Sequence, residues 1–522
     1  MNIKRAKEEI KDTIAAYLLK DEDGEYVIPS LRQRPVLLIG PPGVGKTQIM
    51  EQAARECGIG LVAYTITHHT RQSAVGLPRI ETREYGGREY FITEYTMSEI
   101  VAAVYQKIQE TGLKEGILFI DEINCVSETL APAMLQFLQY KTFGSHRIPE
   151  GWLIVAAGNP PEYNKSVREF DIVTLDRMKL ITVEPDYPVW REYARQMELH
   201  PAVISYLDIK PQNLCRIETT VDGKRFATPR GWEDLSELLT VYERLGKEAD
   251  REVVAQYIQF PAISKDFANY LKLYAKYQRD YQADEILAGR WSEGLCDQAG
   301  RAAFDEKISL VGLLLSRLRG KMRGLKDREE EMELVMGRLK SGREGILQNG
   351  ARAIYQEIED LDRELELKQV QGLLDRRGRR IGTAALKRLE RYAGAVEEAQ
   401  GSRAGLGAEA AWVAEADWAG LAAESAWDTV RDLFSQDSDS YEEMKEDCGL
   451  SLEHAFDFME AAFGTGQEMV IFVTELNSSP ACLDFLKEYD CTRYYQYNKN
   501  LLFDSQEQNV LDRIEQLKGN VQ

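Results

Sequence analysis

The sequence has few cysteines, and they lie far apart. Seven occur in 522 residues, none of them in a CxxC pair and none at metal-ligand spacing from a histidine. Paired spacing is the usual sequence sign of a structural zinc site, so we expect no such site in this chain. The odd number and the wide scatter are typical of reduced thiols in a cytosol.

Long apolar runs are also missing. The apolar runs, such as residues 36–39 and 117–120, have the length of a strand, whereas a membrane-spanning helix needs about 20 apolar residues. Residues 1–9 are charged and helical in pattern, without the apolar segment of a signal peptide. From these absences we expect a cytoplasmic protein with no membrane-inserted segment.

Positive charge is in deficit. The net charge is −21 and the pI is about 5.0, which argues against a general nucleic-acid binder, because phosphate backbones require a basic surface. The hydrophobic fraction of 44% and the charged fraction of 29% are those of a folded globular protein. A chain of 522 residues is too long for one compact core, so we expect about two to four domains.

Short β-branched runs alternate with longer helical patterns in the first third of the chain. The runs at residues 36–39, 61–64, 117–120 and 153–157 are typical of buried parallel strands. Helices between them predict an α/β fold with three layers. A different pattern at residues 81–95, with Gly86-Gly87 between two polar-aromatic runs, predicts a β-hairpin with a tight turn.

After Pro185 the pattern becomes helical, with prolines as interruptions. Residues 308–398 predict longer, charged helices, with a coiled-coil-like apolar stripe that favours an antiparallel helical hairpin; the stripe comprises Ile354, Ile358, Leu361 and Leu365. Residues 399–427 are rich in alanine and glycine and predict a linker or a weakly packed helix. The last segment predicts helices and one strand, at residues 469–476.

A phosphate-binding loop is predicted between the first strand and the helical run that follows it. The pattern GxxxxGK[ST] is matched by Gly40, Pro41, Pro42, Gly43, Val44, Gly45, Lys46 and Thr47, with Gln48 next in the chain. Glycines let backbone N–H groups turn toward phosphates, and the helix N-terminus favours negative charge. Lys46 would reach the β- and γ-phosphates of ATP, and the Thr47 hydroxyl would bind Mg²⁺.

Two further strand ends carry candidate catalytic side chains. Asp121 and Glu122 follow the run at residues 117–120, and Asn159 follows the run at residues 153–157. Because ligands sit at the carboxyl edge of parallel sheets, Asp121 is expected to bind Mg²⁺ beside the phosphate-binding loop. Glu122 would then polarise the attacking water, and the Asn159 amide would orient it.

These motifs, in this order, resemble the MoxR branch of the AAA+ ATPases, in the dynein-related subfamily. The ordered set continues with Leu175-Asp176-Arg177-Met178 and Ala227-Thr228-Pro229-Arg230. The resemblance covers residues 28–239 and implies a hexameric ring with ATP between neighbouring subunits. It implies that Asn159 is the first sensor, that Arg177 is the arginine finger for a neighbour's γ-phosphate, and that Arg230 is the second sensor.

The resemblance also implies roles for two hairpins, and together with the sequence pattern of the remaining chain it predicts a division into domains. The Gly86-Gly87 hairpin and a second one at residues 140–148, with Gly144 at its turn, are similar to family hairpins that contact substrate or partner. The expected domains are an AAA+ core (1–185), a helical lid (186–300), a charged helical region (301–398), an Ala/Gly-rich linker (399–429) and a small C-terminal domain (430–522).

Two positions depart from the family pattern or compete with it. Met178 follows Arg177 where the family usually has phenylalanine, and Arg168 is a rival for the finger. Adjacent histidines, His68-His69, would point to opposite faces of a strand, so we interpret them as part of a loop rather than as a metal site. The basic run at residues 376–380 is interpreted as a solvated helix junction.

The function expected from the resemblance is chaperone-like remodelling of a partner protein, typically one with a von Willebrand factor A domain, driven by hydrolysis of Mg-ATP. Three alternatives remain open. They are a nucleic-acid motor or restriction subunit, which would need a basic pore, a metal-chelatase-type motor subunit, and a scaffold that binds ATP without hydrolysing it. The presence of Glu122, Asn159 and Arg177 argues against the last of these.

Overall fold

The computed structural model describes the backbone of residues 1–68, 74–143, 145–163, 167, 170–220, 223–406 and 415–499, and their side chains except those of 68, 400–406 and 415–425. The chain divides into two compact units. The first comprises Met1–Trp190, Thr228–Gly231 and Arg363–Arg379, and the second comprises Arg191–Ala227, Trp232–Asp362 and Arg380–Gln522.

A parallel sheet forms the centre of the first unit. The strands of the unit are β1 (Val36–Ile39), β2 (Gly60–Thr65), β3 (Pro78–Tyr85), β4 (Arg88–Tyr95), β5 (Gly116–Asp121), β6 (Thr142–Phe143), β7 (His146–Arg147), β8 (Trp152–Gly158) and β9 (Lys179–Thr182). The order of the strands in the sheet is β2-β5-β8-β1-β9, and every adjacent pair is parallel. The four predicted sheet strands are confirmed, and the edge strand β9 adds a fifth among the described residues.

Helices cover both faces of this sheet. They are α1 (Ile3–Leu18), α2 (Lys46–Cys57), α3 (Glu99–Thr111), α4 (Ala131–Tyr140) and the short α5 (Ile172–Leu175). Successive strand residues point to opposite faces, so Leu38 packs in the apolar cluster that contains α1 and α2, while its neighbour Leu37 packs in the cluster that contains α3 and α4. The three-layer α/β fold is therefore confirmed.

Two hairpins extend from the first unit. Strands β3 and β4 pair antiparallel around Gly86 and Gly87, whose φ angles of 61° and 78° are the left-handed values that a primed two-residue turn requires. Strands β6 and β7 form the second predicted hairpin, whose turn residue Gly144 lies outside the described part of the chain.

The rest of the chain is mainly helical, as predicted. Its helices are α6 (Tyr187–Gln196), α7 (Pro201–Ile209), α8 (Pro229–Arg244), α9 (Arg251–Tyr257), α10 (Pro261–Tyr281), α11 (Ala283–Leu287), α12 (Glu293–Arg301), α13 (Phe304–Ser341), α14 (Arg343–Asn349), α15 (Ala351–Gln371), α16 (Arg376–Leu406), α17 (Glu415–Phe463), α18 (Gln467–Asn477) and α19 (Pro480–Glu488). A further helix covers residues 492–499.

Prolines in this region begin helices rather than only interrupting them, because their fixed φ and missing N–H suit the first helical turn. Pro201 and Pro229 are the first residues of α7 and α8. Between those helices lies a hairpin that the sequence did not predict, formed by β10 (Arg216–Thr220) and β11 (Gly223–Ala227).

The predicted strand at residues 469–476 is wrong, because this segment lies in helix α18. A short apolar run has the same composition in a buried strand and in a buried helix. The Ala/Gly-rich segment is helical up to Leu406 and again from Glu415, while residues 407–414 lie outside the described part. In the predicted stripe of α15, Ile354 and Leu361 are buried.

All seven cysteines are free thiols. Within the described residues, no single helix is long and apolar enough to cross a bilayer, and only the pair α18 and α19, bent by 90° at its break, passes a length and composition test together.

Candidate functional site

The loop between β1 and α2 has the backbone that a phosphate-binding loop needs. Gly43 and Gly45 have φ angles of 76° and 93°, values that residues with a Cβ rarely adopt. A Cβ on Gly40 would lie 2.6 Å from the carbonyl oxygen of Val183. The glycines of the motif are therefore required by this local backbone, and helix α2 begins at Lys46, so its N-terminus faces the loop.

Lys46 is buried, with 8% of its surface exposed. Its ammonium group donates to the carbonyl oxygens of Gly40 at 2.8 Å and Pro41 at 2.9 Å, and to Oδ1 of Asn159 at 3.0 Å. Burial lowers the pKa of Lys46 to about 8, the charge of Asp121 opposes this effect, and the charge of Arg230 adds to it. A buried cation forms stronger hydrogen bonds with charged oxygens than with neutral ones. Phosphate oxygens could therefore replace the carbonyl and amide oxygens around Lys46.

Thr47, in the first turn of α2, lies beside Asp121, the last residue of β5. The Thr47 hydroxyl donates to Oδ2 of Asp121 at 3.1 Å, and the Glu122 backbone N–H donates to Oδ1 of the same carboxylate at 2.9 Å. A hydroxyl next to a carboxylate is the kind of hard oxygen pair that Mg²⁺ prefers. Glu122 itself has a left-handed backbone, with φ 56°, which is uncommon for a residue with a side chain.

Asn159, which follows strand β8, is part of the same group of side chains as Lys46. Besides its contact with Lys46, its carbonyl oxygen accepts a hydrogen bond of 2.7 Å from Nδ2 of Asn124. Asn124 is buried, and a Cβ on Gly158 would lie 2.6 Å from its Oδ1. The sequence did not predict Asn124, which follows Asp121 by three residues and contacts residues from a different strand end.

Arg230 lies near the phosphate-binding loop although it is distant in sequence. A Cβ on Gly43 would lie 3.2 Å from the Cβ of Arg230 and 3.3 Å from the side chain of Thr228. The Arg230 side chain is exposed, and its charge lowers the pKa of Lys46. Thr228, from the same motif, is a second neighbour, for which the sequence predicted no role of its own.

The remaining loop residues have supporting positions. Val44 packs in the cluster beneath the sheet, Pro42 is half-buried, and Gln48 is exposed on the first turn of α2. The predicted group from Gly40 to Thr47 therefore comes together with Asp121, Glu122, Asn159 and Arg230 at one edge of the sheet.

Arg177 has a different setting. It is exposed just after α5, and its Nη1 donates to Oε1 of Gln139, on α4, at 2.7 Å. The following residue, Met178, is buried in the apolar cluster with α3 and α4, which is the position that the family fills with phenylalanine. The rival Arg168 lies outside the described residues.

The interpretation of the histidine pair stays a prediction. His69 and the side chain of His68 lie outside the described part of the chain. Among the side chains that are described, no group of three or more His, Cys, Asp or Glu residues is placed to hold a metal ion.

Comparison with known proteins agrees with this geometry. The model of the AAA domain, dynein-related subfamily, matches residues 35–178. Mouse ATPase family gene 2 protein homolog B is 31% identical over 143 residues, which are 26% of this chain and 16% of the mouse protein, and the rat protein of the same name gives the same values. Lon protease from Acinetobacter baumannii (strain AB307-0294) is 24% identical over 301 residues, which are 54% of this chain and 34% of that protein.

The chain thus spans at most about a third of the length of these relatives. The family model begins one residue before β1 and ends at Met178, so the match includes the phosphate-binding loop, both carboxylates after β5, Asn159 and Arg177. Residues 35–178 therefore match an AAA domain, and this match supports the assignment of this part of the chain to the nucleotide-binding AAA+ ATPases.

Proposed function

We propose that this chain hydrolyses Mg-ATP in an oligomeric ring and uses the energy to remodel or activate a partner protein. One observation carries the proposal: the Lys46 ammonium, the Thr47–Asp121 pair and the Asn159 amide converge at the carboxyl ends of neighbouring strands. A phosphate-binding cation, an oxygen pair suited to Mg²⁺ and a polar amide are the parts that phosphoryl transfer to water requires.

Lys46 and the backbone of the loop would hold the phosphates of ATP. The contacts of the ammonium with Gly40 and Pro41 are with neutral carbonyl oxygens, which phosphate oxygens can replace with a gain in electrostatic energy. The left-handed glycines at 43 and 45 leave the loop without side chains where a phosphate would approach.

Thr47 and Asp121 would hold Mg²⁺, which neutralises charge on the phosphate oxygens when it is bound. Glu122 is the candidate base for the attacking water. Its left-handed backbone is an outlier of the kind that clusters at functional sites. Asn159, fixed by Asn124 on one side and Lys46 on the other, would orient that water.

Arg177 would act on a neighbouring subunit. It is exposed and follows closely in sequence after Ile172 and Val173, which are 85% and 61% exposed. Exposed apolar residues near a charged group are typical of a surface that another chain covers. Arg230, near the phosphate-binding loop, would sense the nucleotide of its own subunit. A ring of six subunits is the assembly that the resemblance to the MoxR branch implies.

The hairpin of β3 and β4 is the candidate contact for a partner or substrate protein. Ile80 and Phe91 on it are 74% and 83% exposed, which is costly for apolar side chains unless another protein covers them. The family resemblance makes a protein with a von Willebrand factor A domain the candidate partner, and the similarity to a protein named Lon protease is compatible with a protein substrate.

Glu122→Gln tests the hydrolysis itself. We expect ATP turnover to fall at least about a hundredfold while ATP still binds, since only the water-polarising group is lost. The matched control is Glu110→Gln, on the exposed side of α3, where the carboxylate accepts a hydrogen bond from Gln106; it should keep normal turnover. Near-normal turnover in Glu122→Gln would contradict the assigned role.

A further inference from the structure

A cavity of about 430 Å³ lies within the second unit. Helices α6, α7, α13 and α18 contribute its walls, and every lining residue belongs to that unit. The volume is in the range of small-molecule sites, which are roughly 300–1,000 Å³. The cavity is therefore separate from the candidate nucleotide site of the first unit.

Most of the wall is aliphatic. The buried or half-buried apolar side chains along it are Leu199, Ile204, Ile308, Val311, Leu315 and Ile471. Phe304 and Val470, which also line the cavity, are 54% and 41% exposed, so the cavity opens to solvent on their side. This wall suits an aliphatic body rather than a nucleobase, because it offers no pair of buried aromatic rings for stacking.

Charged side chains are concentrated on the same cavity. Four arginines, Arg191, Arg195, Arg319 and Arg323, line it together with three carboxylates, Glu198, Asp208 and Glu475. Arginine is always charged in proteins. With all three carboxylates ionised, the four-to-three ratio leaves one positive charge in excess.

Glu475 is shared among three of the arginines. This carboxylate is 7% exposed and pairs with Arg195, with Arg319 at 3.0 Å and with Arg191 at 3.4 Å. Burial lowers the pKa of Arg195, the charge of Glu475 opposes this effect, and the charges of Arg319 and Arg191 add to it. One carboxylate thus serves several guanidinium groups that repel one another.

Two guanidinium donors lack an acceptor. The Nε atoms of Arg195 and Arg319 are buried and have no hydrogen-bond partner among the described residues. The Arg195 side chain is 6% exposed, and a buried donor left unpaired destabilises the folded state. The chain itself therefore supplies this arginine cluster with too few acceptors, and an anion in the cavity would add negative charge beside it.

We propose that this cavity binds a small amphipathic anion, with one carboxylate at the arginines and an aliphatic body along the apolar wall. A single carboxylate matches the single excess charge, and guanidinium groups bind carboxylates in a planar, two-point geometry. The aliphatic wall supplies the hydrophobic part of the affinity. This site has no part in the proposed hydrolysis of ATP and extends the function of the chain to a second ligand.

Calorimetric titration of the full chain tests the proposal with three probes: decanoate, 1-decanol and acetate. Decanoate should bind one-to-one with a dissociation constant on the order of tens of micromolar, given the usual efficiency of small ligands. Decanol lacks the charge and acetate lacks the aliphatic body, so each should bind at least about tenfold more weakly. Equal binding of decanol and decanoate would overturn the assignment of an anion site.

Variants at two glycines of α13 locate the site. Gly320 lines the cavity, and a Cβ there meets nothing within 4 Å, so Gly320→Trp should occupy the cavity without disturbing the helix and abolish decanoate binding. Gly337 is also open on α13 but does not line the cavity, so Gly337→Trp should bind normally. Undiminished binding in Gly320→Trp would show that the probe binds elsewhere.

Arg191→Gln tests the charge. Arg191 is half-buried and pairs with Asp208 at 3.0 Å, so its loss removes the excess positive charge with less effect on folding than the loss of a fully buried arginine. Decanoate binding should weaken about tenfold or more, while the weak binding of decanol stays the same. If the affinities for decanoate and for decanol changed by the same factor, the assigned role of the arginines would be contradicted.

Discussion

The ammonium group of Lys46 donates a hydrogen bond of 3.0 Å to Oδ1 of Asn159. The two residues are 113 positions apart, and neighbouring parallel strands, β1 and β8, bring them together. The contact places the cation of the phosphate-binding loop next to the amide proposed to orient water. When nucleotide binds, Lys46 would exchange its hydrogen bond to Asn159 for one to a phosphate oxygen. The Asn159 amide would then be free to orient water.

Lys46→Ala should weaken ATP binding by about a hundredfold or more, because charge-assisted hydrogen bonds to phosphate are worth roughly 1.5–3 kcal/mol each. Titration with a fluorescent ATP analogue measures the change. Lys114→Ala, at an exposed lysine of the same unit, is the control and should bind normally. An undiminished affinity in Lys46→Ala would show that residues 40–47 are not the phosphate-binding loop.

Binding of ATP should be coupled to uptake of a proton at alkaline pH. The pKa of Lys46 is about 8 without nucleotide because burial lowers it, and phosphate charges beside it would raise this pKa. Below pH 8 the lysine is already protonated, so its contribution to affinity is complete. Above pH 8 the affinity should fall, by up to about tenfold per pH unit, until the raised pKa is reached.

Calorimetry in two buffers of different ionisation enthalpy counts the protons. Most of one proton should be taken up at about pH 9 and little at about pH 7. Lys141 provides the control. Burial also lowers its pKa to about 8, but its ammonium contacts Gln33 and Trp152, so Lys141→Met should leave the proton uptake unchanged. Equal uptake at both pH values in the parent protein would contradict the coupling.

Asn124→Ala should slow hydrolysis more than it weakens binding. Its Nδ2 donates to the carbonyl oxygen of Asn159 at 2.7 Å, so its loss releases the backbone that carries the water-orienting amide. We expect kcat to fall about tenfold with little change in KM. The free energy of unfolding should fall by about 1–3 kcal/mol, because a partly buried carbonyl loses its donor. A larger KM with an unchanged kcat would show that Asn124 acts on nucleotide binding instead.

The sequence predicted those parts of the site that are local. The loop from Gly40 to Thr47 is recognisable because its glycines, lysine and threonine are consecutive, and the carboxylates of Asp121 and Glu122 follow a strand directly. Asn124 could not be found in the same way, and Thr228 was part of a recognised motif but had no predicted role. Each contributes through a contact with a segment that is far away in sequence, and a single sequence contains no signal for that contact.

The parts of the fold that were missed have related causes. Strand β9 lies at the edge of the sheet, and Ile181 is its one buried residue, so it lacks the continuous apolar run of the inner strands. Helix α18 was predicted as a strand because residues 469–476 are short, apolar and partly β-branched. Its burial against other helices, with Phe472 and Leu476 fully buried, decides the conformation, and periodicity over so few residues does not.

ATP turnover per subunit should rise with protein concentration, because we propose that Arg177 completes the site of a neighbour. An arginine finger contributes on the order of 10³ or more in rate, so isolated subunits should be nearly inactive. Mixing two inactive variants, Arg177→Ala and Glu122→Gln, tests the arrangement directly. Some interfaces of a mixed ring then join an intact Glu122 to an intact Arg177, and part of the activity should return.

A second mixture separates this explanation from simple co-assembly. Lys46→Ala mixed with Glu122→Gln leaves every nucleotide site with one defect, since both residues belong to the same half of the interface. That mixture should stay inactive although its subunits assemble equally well. If the first mixture co-assembles and still recovers no turnover, Arg177 is not the finger, and Arg168→Ala in place of Arg177→Ala becomes the decisive variant, because Arg168 is the remaining candidate that the sequence offers.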